Sequence, residues 1–212
     1  MFKKLFAAIL TVGVLGLAGA AQAQEAADAF IKRISQEVLE TAKSDKDIQS
    51  GNQQKILEVV QAKILPNVDF QRMTSLAAGR YWREATPEQQ KRLTAEFRDL
   101  LVYTYAGAIA QIRDQQLEFR PMRNDPADND VEVRSQVVQQ RGEPIQLNYR
   151  LSKSGNSWKI YDLNVLGAWL VETYKGNFAS EISKGGIDGL INTLAERNKR
   201  LASGGIKTNK PS

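Results

Sequence analysis

The chain has 212 residues, of which 29 are Lys or Arg and 24 are Asp or Glu, giving a formal charge of +5 at pH 7. It contains neither His nor Cys, which excludes disulfides, zinc or copper sites of the usual kind, and nucleophilic sites that need a His base or a Cys thiolate. An enzyme with this composition would have to use carboxylates, Lys or Tyr.

The first 23 residues have the order of a secretory signal peptide. Lys3 and Lys4 precede an apolar run of 13 residues from Leu5 to Leu17, and small residues follow up to Ala23. The run is shorter than the roughly 20 residues of a membrane-spanning helix. We expect cleavage after Ala23 and export to the periplasm, with an uncleaved anchor as the alternative. Without Lys3 and Lys4 the charge of the mature chain is +3.

The first half of the remaining chain has the apolar spacing of helices. Residues 26–44 and 52–65 each carry one apolar stripe, and Pro66 should end the second helix. Asp69 is expected to cap a short helix that stops near Gly79. Thr86, Pro87 and Gln89 form the start signal of a longer helix that should run to about residue 113.

The apolar period then changes from 3.6 to 2, which indicates strands. Four stretches alternate in this way, around residues 117–121, 131–137, 145–151 and 158–165, and the last three are separated by short turns. Gly167 should end the last strand, and two helices separated by Gly185 and Gly186 should follow. We therefore predict an α+β fold in which a twisted four-stranded antiparallel sheet is wrapped by N- and C-terminal helices. The fold is expected in one domain over residues 24–201, with a disordered tail over 202–212.

Three stretches together resemble the MlaC family, also called the toluene-tolerance auxiliary family. The first is Pro66–Met73 with Ala78–Trp82, and the second is Glu88–Tyr105. The third combines Trp158–Leu163 with Gly167–Val171 and Tyr174–Phe178, and has Trp169 where the family usually shows Ser. The order and spacing of these stretches cover nearly all of the chain after the signal peptide.

The resemblance implies a periplasmic phospholipid carrier without catalytic activity, whose cargo lies in a cavity between sheet and helices. The family works between an outer-membrane lipoprotein complex and an inner-membrane ABC transporter with its lipid-binding substrate protein, and it keeps the outer membrane lipid-asymmetric. No cofactor besides the bound lipid is implied. We expect a monomer that does not bind nucleic acid, because the basic residues are spread along the chain.

The predicted tail-binding residues are the apolar residues of the strands and of the adjoining helices. They are Leu76, Leu101, Tyr105, Leu117, Phe119, Val133, Val137, Leu147, Tyr149, Ile160, Val165, Leu170, Tyr174 and Phe178. Any one of them could instead be ordinary core. The predicted headgroup residues are Arg80, Trp82, Arg83 and Lys175, because guanidinium and ammonium groups suit phosphate and Trp suits a membrane interface.

Two other functions remain open. A periplasmic chaperone or scaffold would bind unfolded polypeptide through exposed apolar surface. A glycan hydrolase would need two carboxylates across a cleft, and the candidates for these are Asp125, Asp128, Asp130 and Glu132. Asp162 is expected to anchor the end of the last strand rather than to act in catalysis.

Overall fold

The computed structural model describes residues 25–122, 128–139 and 143–205. The predicted signal peptide over residues 1–23 lies outside the described residues, as do residues 206–212 of the predicted tail.

Helices make up the first half of the described chain. They are α1 (Ala27–Ser44), α2 (Lys46–Gln49), α3 (Gln53–Val59), α4 (Phe70–Ala78), α5 (Tyr81–Glu84) and α6 (Pro87–Tyr105). A π-helix (Val60–Ile64) and a 3₁₀ turn (Leu65–Asn67) extend α3, and Pro66, which has no N–H to donate, lies in the 3₁₀ turn. The long helix predicted to reach residue 113 ends at Tyr105 and continues as a 3₁₀-helix (Ala106–Gln111) that contains the poor helix former Gly107.

The helix starts follow local sequence signals, as predicted. The Asp69 carboxylate accepts the backbone N–H of Arg72 at 2.8 Å and caps α4. At the start of α6, the Thr86 hydroxyl accepts the N–H of Gln89 at 3.2 Å, and the Gln89 side chain accepts the N–H of Thr86 at 3.0 Å. The Asp45 side chain caps α2 in the same way, since it accepts the N–H groups of Asp47 and Ile48.

The sheet has five antiparallel strands in sequential order. They are β1 (Gln116–Phe119), β2 (Asp130–Val138), β3 (Ile145–Ser154), β4 (Ser157–Val165) and β5 (Ala168–Trp169). The prediction of four strands was therefore one short, since Trp169 lies in β5 rather than in the following helix. Gly167 has a φ of 86°, a conformation in which Gly is unstrained, and the turn that it forms brings the chain back against β4.

A β-bulge at Tyr161 divides β4 into two parts. Leu151 pairs with Ile160 and Arg150 pairs with Asp162, so Tyr161 has no partner on β3. Side chains alternate between the two faces along a strand. After the extra residue, each side chain of β4 therefore points to the face opposite the one that unbroken alternation would give. Ile160 and Leu163 consequently share one face, although an unbroken strand would place them on opposite faces.

The last helix, α7 (Leu170–Ser203), is bent at Gly185 and Gly186, where the sequence predicted a break. Gly186 has φ 66° and ψ −171°, a combination that is open only to Gly. The helix extends two residues beyond residue 201, into the predicted tail. Within the described residues, no helix is both long enough and apolar enough to span a membrane.

The buried apolar side chains form three clusters. The helix cluster joins α4, α6 and α7 around Phe97, whose ring meets Tyr174 and Phe178 edge-on with centroids 4.8 and 5.0 Å apart. The sheet cluster joins α1 to β2, β3 and β4. The third cluster joins α1, α2, α3 and the 3₁₀-helix that follows α6. The sheet thus has α1 on one face and meets the helix cluster at β4.

Candidate functional site

The strand residues predicted to contact lipid share one face of the sheet, which we call the inner face. The register pairs Leu117 with Val137 and Val137 with Ile145, and it pairs Leu147 with Val165. Two further pairs, Phe119 with Ser135 and Ser135 with Leu147, extend this face. The resulting surface at one end of the sheet, which we call the open end, consists of Leu117, Phe119, Val137, Ile145, Leu147 and Val165. All six side chains are only partly buried.

The other part of the inner face is covered by α1. Val133, Tyr149 and Ile160 pack there against Phe30 and Ile31, and Val133 has no exposed surface. Side chains therefore fill the space beneath α1. At the open end, by contrast, the apolar side chains of the inner face are only partly covered.

A group of hydroxyls lies at the interface between α1 and the sheet. The hydroxyls of Ser35 on α1 and Ser135 on β2 lie near the buried Tyr149 hydroxyl and lower its pKa. Burial raises the pKa of Tyr149 to about 12, so the phenol stays protonated and able to donate. The Ser135 hydroxyl also donates to the Leu147 carbonyl at 2.5 Å. The hydroxyls of Tyr149, Ser35 and Ser135 are thus grouped in an otherwise apolar interface.

The helical residues predicted to contact lipid lie elsewhere. Leu101, Leu170, Tyr174 and Phe178 belong to the helix cluster, where they pack against other helices. Leu76 on α4 and Tyr105 at the end of α6 are 40% and 38% exposed. The structure therefore does not bring the strand and helix candidates together as one wall. Val68 and Leu163 connect the two groups, since both pack against the sheet cluster and the helix cluster.

The predicted headgroup residues belong to α5, the residue before it, and the first turns of α7. The Arg80 guanidinium lies over the Tyr81 ring, 4.8 Å from its centroid, and donates to the Tyr81 hydroxyl at 2.9 Å. Trp82 is partly buried against the helix cluster, and Arg83 is exposed. Lys175 lies 3.8 Å from the Glu172 carboxylate. These side chains border the helix cluster rather than the open end.

Asp162 ties the end of the sheet to the first turn of α7. Its buried carboxylate accepts the N–H of Val171 at 3.0 Å and lies 3.3 Å from the Arg150 guanidinium, which stacks on the Trp169 ring at 3.9 Å. Burial raises the pKa of Asp162, and the N–H groups of Val171 and Leu163 oppose that rise. Trp169, at the N-cap position of α7, has no side-chain acceptor for the N–H groups of the first turn. The Asp162 carboxylate caps the helix in its place. This geometry is an anchoring one, as the sequence indicated.

The acidic residues considered for hydrolysis are separated by arginines. Asp130 lies 2.6 Å from Arg72 and Glu132 lies 2.8 Å from Arg134, while Asp125 lies outside the described residues. The Arg72 guanidinium also stacks on the Tyr161 ring at 3.7 Å. Asp130 and Glu132 are thus each engaged by a different arginine. Within ranges 25–122, 128–139 and 143–205, no three Asp, Glu, His or Cys residues are grouped as metal ligands.

Sequence reasoning left out several residues that complete the inner face. Ile145 extends the open end, and Leu163 joins the two clusters. The alternation of β3 could have identified Ile145, whereas the position of Leu163 depends on the bulge at Tyr161, which has no sequence signal. Phe30 and Ile31 belong to a predicted apolar helix stripe, but only the packed structure shows that this stripe covers the sheet.

Comparison with known proteins shows which family this chain is similar to. The family model described as "MlaC protein" matches residues 32–196. The intermembrane phospholipid transport system binding protein MlaC of Haemophilus influenzae is 28% identical over 160 residues, which are 71% of this chain and 74% of that protein. The toluene tolerance protein ttg2D of Pseudomonas putida is 25% identical over 153 residues, 72% of this chain and 71% of that protein.

A solved structure gives the strongest of these similarities. A phospholipid-binding protein from Ralstonia solanacearum, determined in complex with a phospholipid, is 49% identical in sequence, with a TM-score of 0.79. The match covers 84% of this chain and 99% of that one.

Proposed function

The chain belongs to the MlaC protein family, and from that premise we propose that it is a periplasmic carrier that binds phospholipid and moves it between the inner and outer membranes. In this role it helps to maintain the lipid asymmetry of the outer membrane. The predicted signal peptide over residues 1–23 supports the periplasmic location. The proposal includes no catalytic step.

The observation that carries the proposal is the open end of the sheet. Six apolar side chains from β1 to β4 lie on one face and remain partly exposed, although apolar surface is normally buried in a protein interior. A bound hydrocarbon chain would remove this surface from water. The complex of the similar Ralstonia protein with a phospholipid supports the same occupant.

The energetics of hydrocarbon explain why such a carrier works through docking. Two acyl tails of about sixteen carbons expose roughly thirty CH₂ groups, and at ~0.8 kcal/mol each their release into water costs about 25 kcal/mol. Free release is therefore too slow to be useful. We propose that lipid passes directly to and from membrane partners, namely an outer-membrane lipoprotein complex and an inner-membrane ABC transporter with its lipid-binding substrate protein.

Two adjacent valines at the end of β2 provide a direct test. Val137 lies on the inner face at the centre of the open end, and Val138 is the next residue and faces the other side of the sheet. Both are partly buried, so aspartate at either position should cost similar stability. Native mass spectrometry of the purified protein should show bound phospholipid in the wild type and in Val138→Asp, and little or none in Val137→Asp. Circular dichroism checks that both variants are folded.

Equal lipid content in two folded variants would show that the open end is not the tail site. A wild type from which no phospholipid can be extracted would overturn the carrier function itself. Suppression of the aggregation of an unfolded outer-membrane protein by lipid-free wild type, but not by Val137→Asp, would favour the chaperone alternative.

A further inference from the structure

A groove of about 200 Å³ runs between α1 and the edge strand β1. One stripe of α1 forms one wall, and β1 with the preceding Gln115 forms the other. The groove is lined by Lys32, Ser35, Gln36, Leu39, Lys43, Gln115, Gln116, Leu117 and Phe119. Leu117 and Phe119 also belong to the open end, so the groove opens directly onto the proposed tail-binding surface.

The charge of the groove has a single sign. Lys32 and Lys43 are its ionisable residues, and none of the residues that line it is acidic. Lys32 is exposed and forms no ion pair with any described residue. The Lys43 ammonium donates to the backbone carbonyl of Gln115 at 3.1 Å, a neutral acceptor that an anion can replace. Lys43 lies at the Gln115 end, next to Leu117.

We propose that this groove holds the phosphodiester headgroup of the bound phospholipid, with Lys43 as the residue that contacts the phosphate. The inference rests on the proposed function and deepens it. The two acyl tails then continue from Leu117 across the open end. Lys32 lies about 16 Å from Lys43 along α1 and adds positive potential at the far end of the groove. The headgroup site is therefore distinct from the predicted group of Arg80, Trp82, Arg83 and Lys175.

Charge reversals with a matched control test the site. The full protein is stripped of lipid in detergent and titrated with a phosphatidylglycerol that carries a fluorescent acyl tail, and with the equally labelled diacylglycerol, which has no phosphate. Lys43→Glu should weaken phosphatidylglycerol binding about tenfold, and Lys32→Glu should have a smaller effect. Lys91→Glu, on an exposed position of α6, makes the same change of charge and should have no effect. Diacylglycerol binding should be equal in all four proteins.

The conservative change Lys43→Arg keeps the positive charge and should retain phosphatidylglycerol binding, which separates charge from a structural role. Phosphatidylglycerol binding by Lys43→Glu that equals that of Lys91→Glu would overturn this headgroup site and leave the carrier function intact. A wild type that binds neither lipid would end both proposals.

Inorganic phosphate is titrated in parallel. Phosphate binding that Lys43→Glu abolishes, together with unchanged lipid binding, would identify a site for free anions and overturn the headgroup assignment.

Discussion

At the scale of single residues, the buried phenol of Tyr149 has the environment least suited to a polar group. It is a polar group in an apolar interface, and two serine hydroxyls, one from α1 and one from β2, lie near it. Polar contacts with them offset part of the cost of burying the phenol, about 1–3 kcal/mol. The environment of the phenol therefore depends on how α1 packs on the sheet, next to the open end.

Replacing Tyr149 with Phe keeps the ring packing and removes the polar contacts of the phenol with the Ser35 and Ser135 hydroxyls. We expect Tyr149→Phe to lower the free energy of unfolding by about 1 kcal/mol at pH 7, measured by urea denaturation. The pKa of Tyr149 is about 12 in the folded protein, whereas an unperturbed tyrosine has a pKa of 10.0. As the pH rises, the phenol therefore loses its proton first in the unfolded chain. Its contribution to stability is thus complete below pH 10 and is lost as the pH rises through 12.

The variant should accordingly lose less stability than the wild type between pH 10 and 12. Identical alkaline profiles for Tyr149→Phe and wild type would show that the Tyr149 hydroxyl is not buried as described.

At the scale of elements, two of the four glycines in α7 have opposite roles. Gly176 lies within regular helix, where a Cβ would meet nothing within 4 Å, so Gly176→Ala should raise the free energy of unfolding by about 0.5–1 kcal/mol. A Cβ on Gly186 would also meet nothing, but its φ of 66° is open only to Gly at that ψ. Gly186→Ala should lower stability by about 1–3 kcal/mol through backbone strain alone.

Thermal unfolding of the two variants checks the sign of each change. A Gly186→Ala protein as stable as the wild type would mean that the bend is not required, and that α7 can straighten at this point.

The same scale shows what the sequence can predict. Helix starts at α4 and α6 were predictable because their signals are local, consisting of a capping side chain and an N–H three residues away. The fifth strand was not, because Ala168 and Trp169 become a strand only by pairing with β4. The inner-face residues on β1 to β3 follow from simple alternation. Beyond Tyr161 alternation fails, since the bulge depends on how β3 and β4 fit together.

At the scale of the whole molecule, the fold consists of three apolar clusters joined at few points. The open end lies beside the sheet cluster and is covered by none of the three completely. Which helices meet which part of the sheet depends on long-range packing, so the sequence could identify candidate lipid contacts but could not divide them between the open end and the helix cluster. A ligand at the open end would add the missing apolar contacts.

Lipid should therefore stabilise the folded protein as a whole. At a free lipid concentration one hundred times the dissociation constant, binding contributes about 2.7 kcal/mol, which corresponds to a rise in Tm of about 5–10 °C. Calorimetry of stripped protein with and without phospholipid measures this rise. Val137→Asp serves as the control and should show no shift. A wild type whose Tm does not change with added lipid would contradict the proposal that lipid completes the core.

The bulge at Tyr161 makes the number of residues in β4 a constraint of its own. A relative that lacked one residue between Trp158 and Asp162 would keep a plausible strand sequence, yet Asp162 would point toward the inner face and Leu163 toward the start of α7. Related chains should thus show substitutions in this segment more often than gaps in their alignment. In this segment the number of residues is therefore constrained as well as their type.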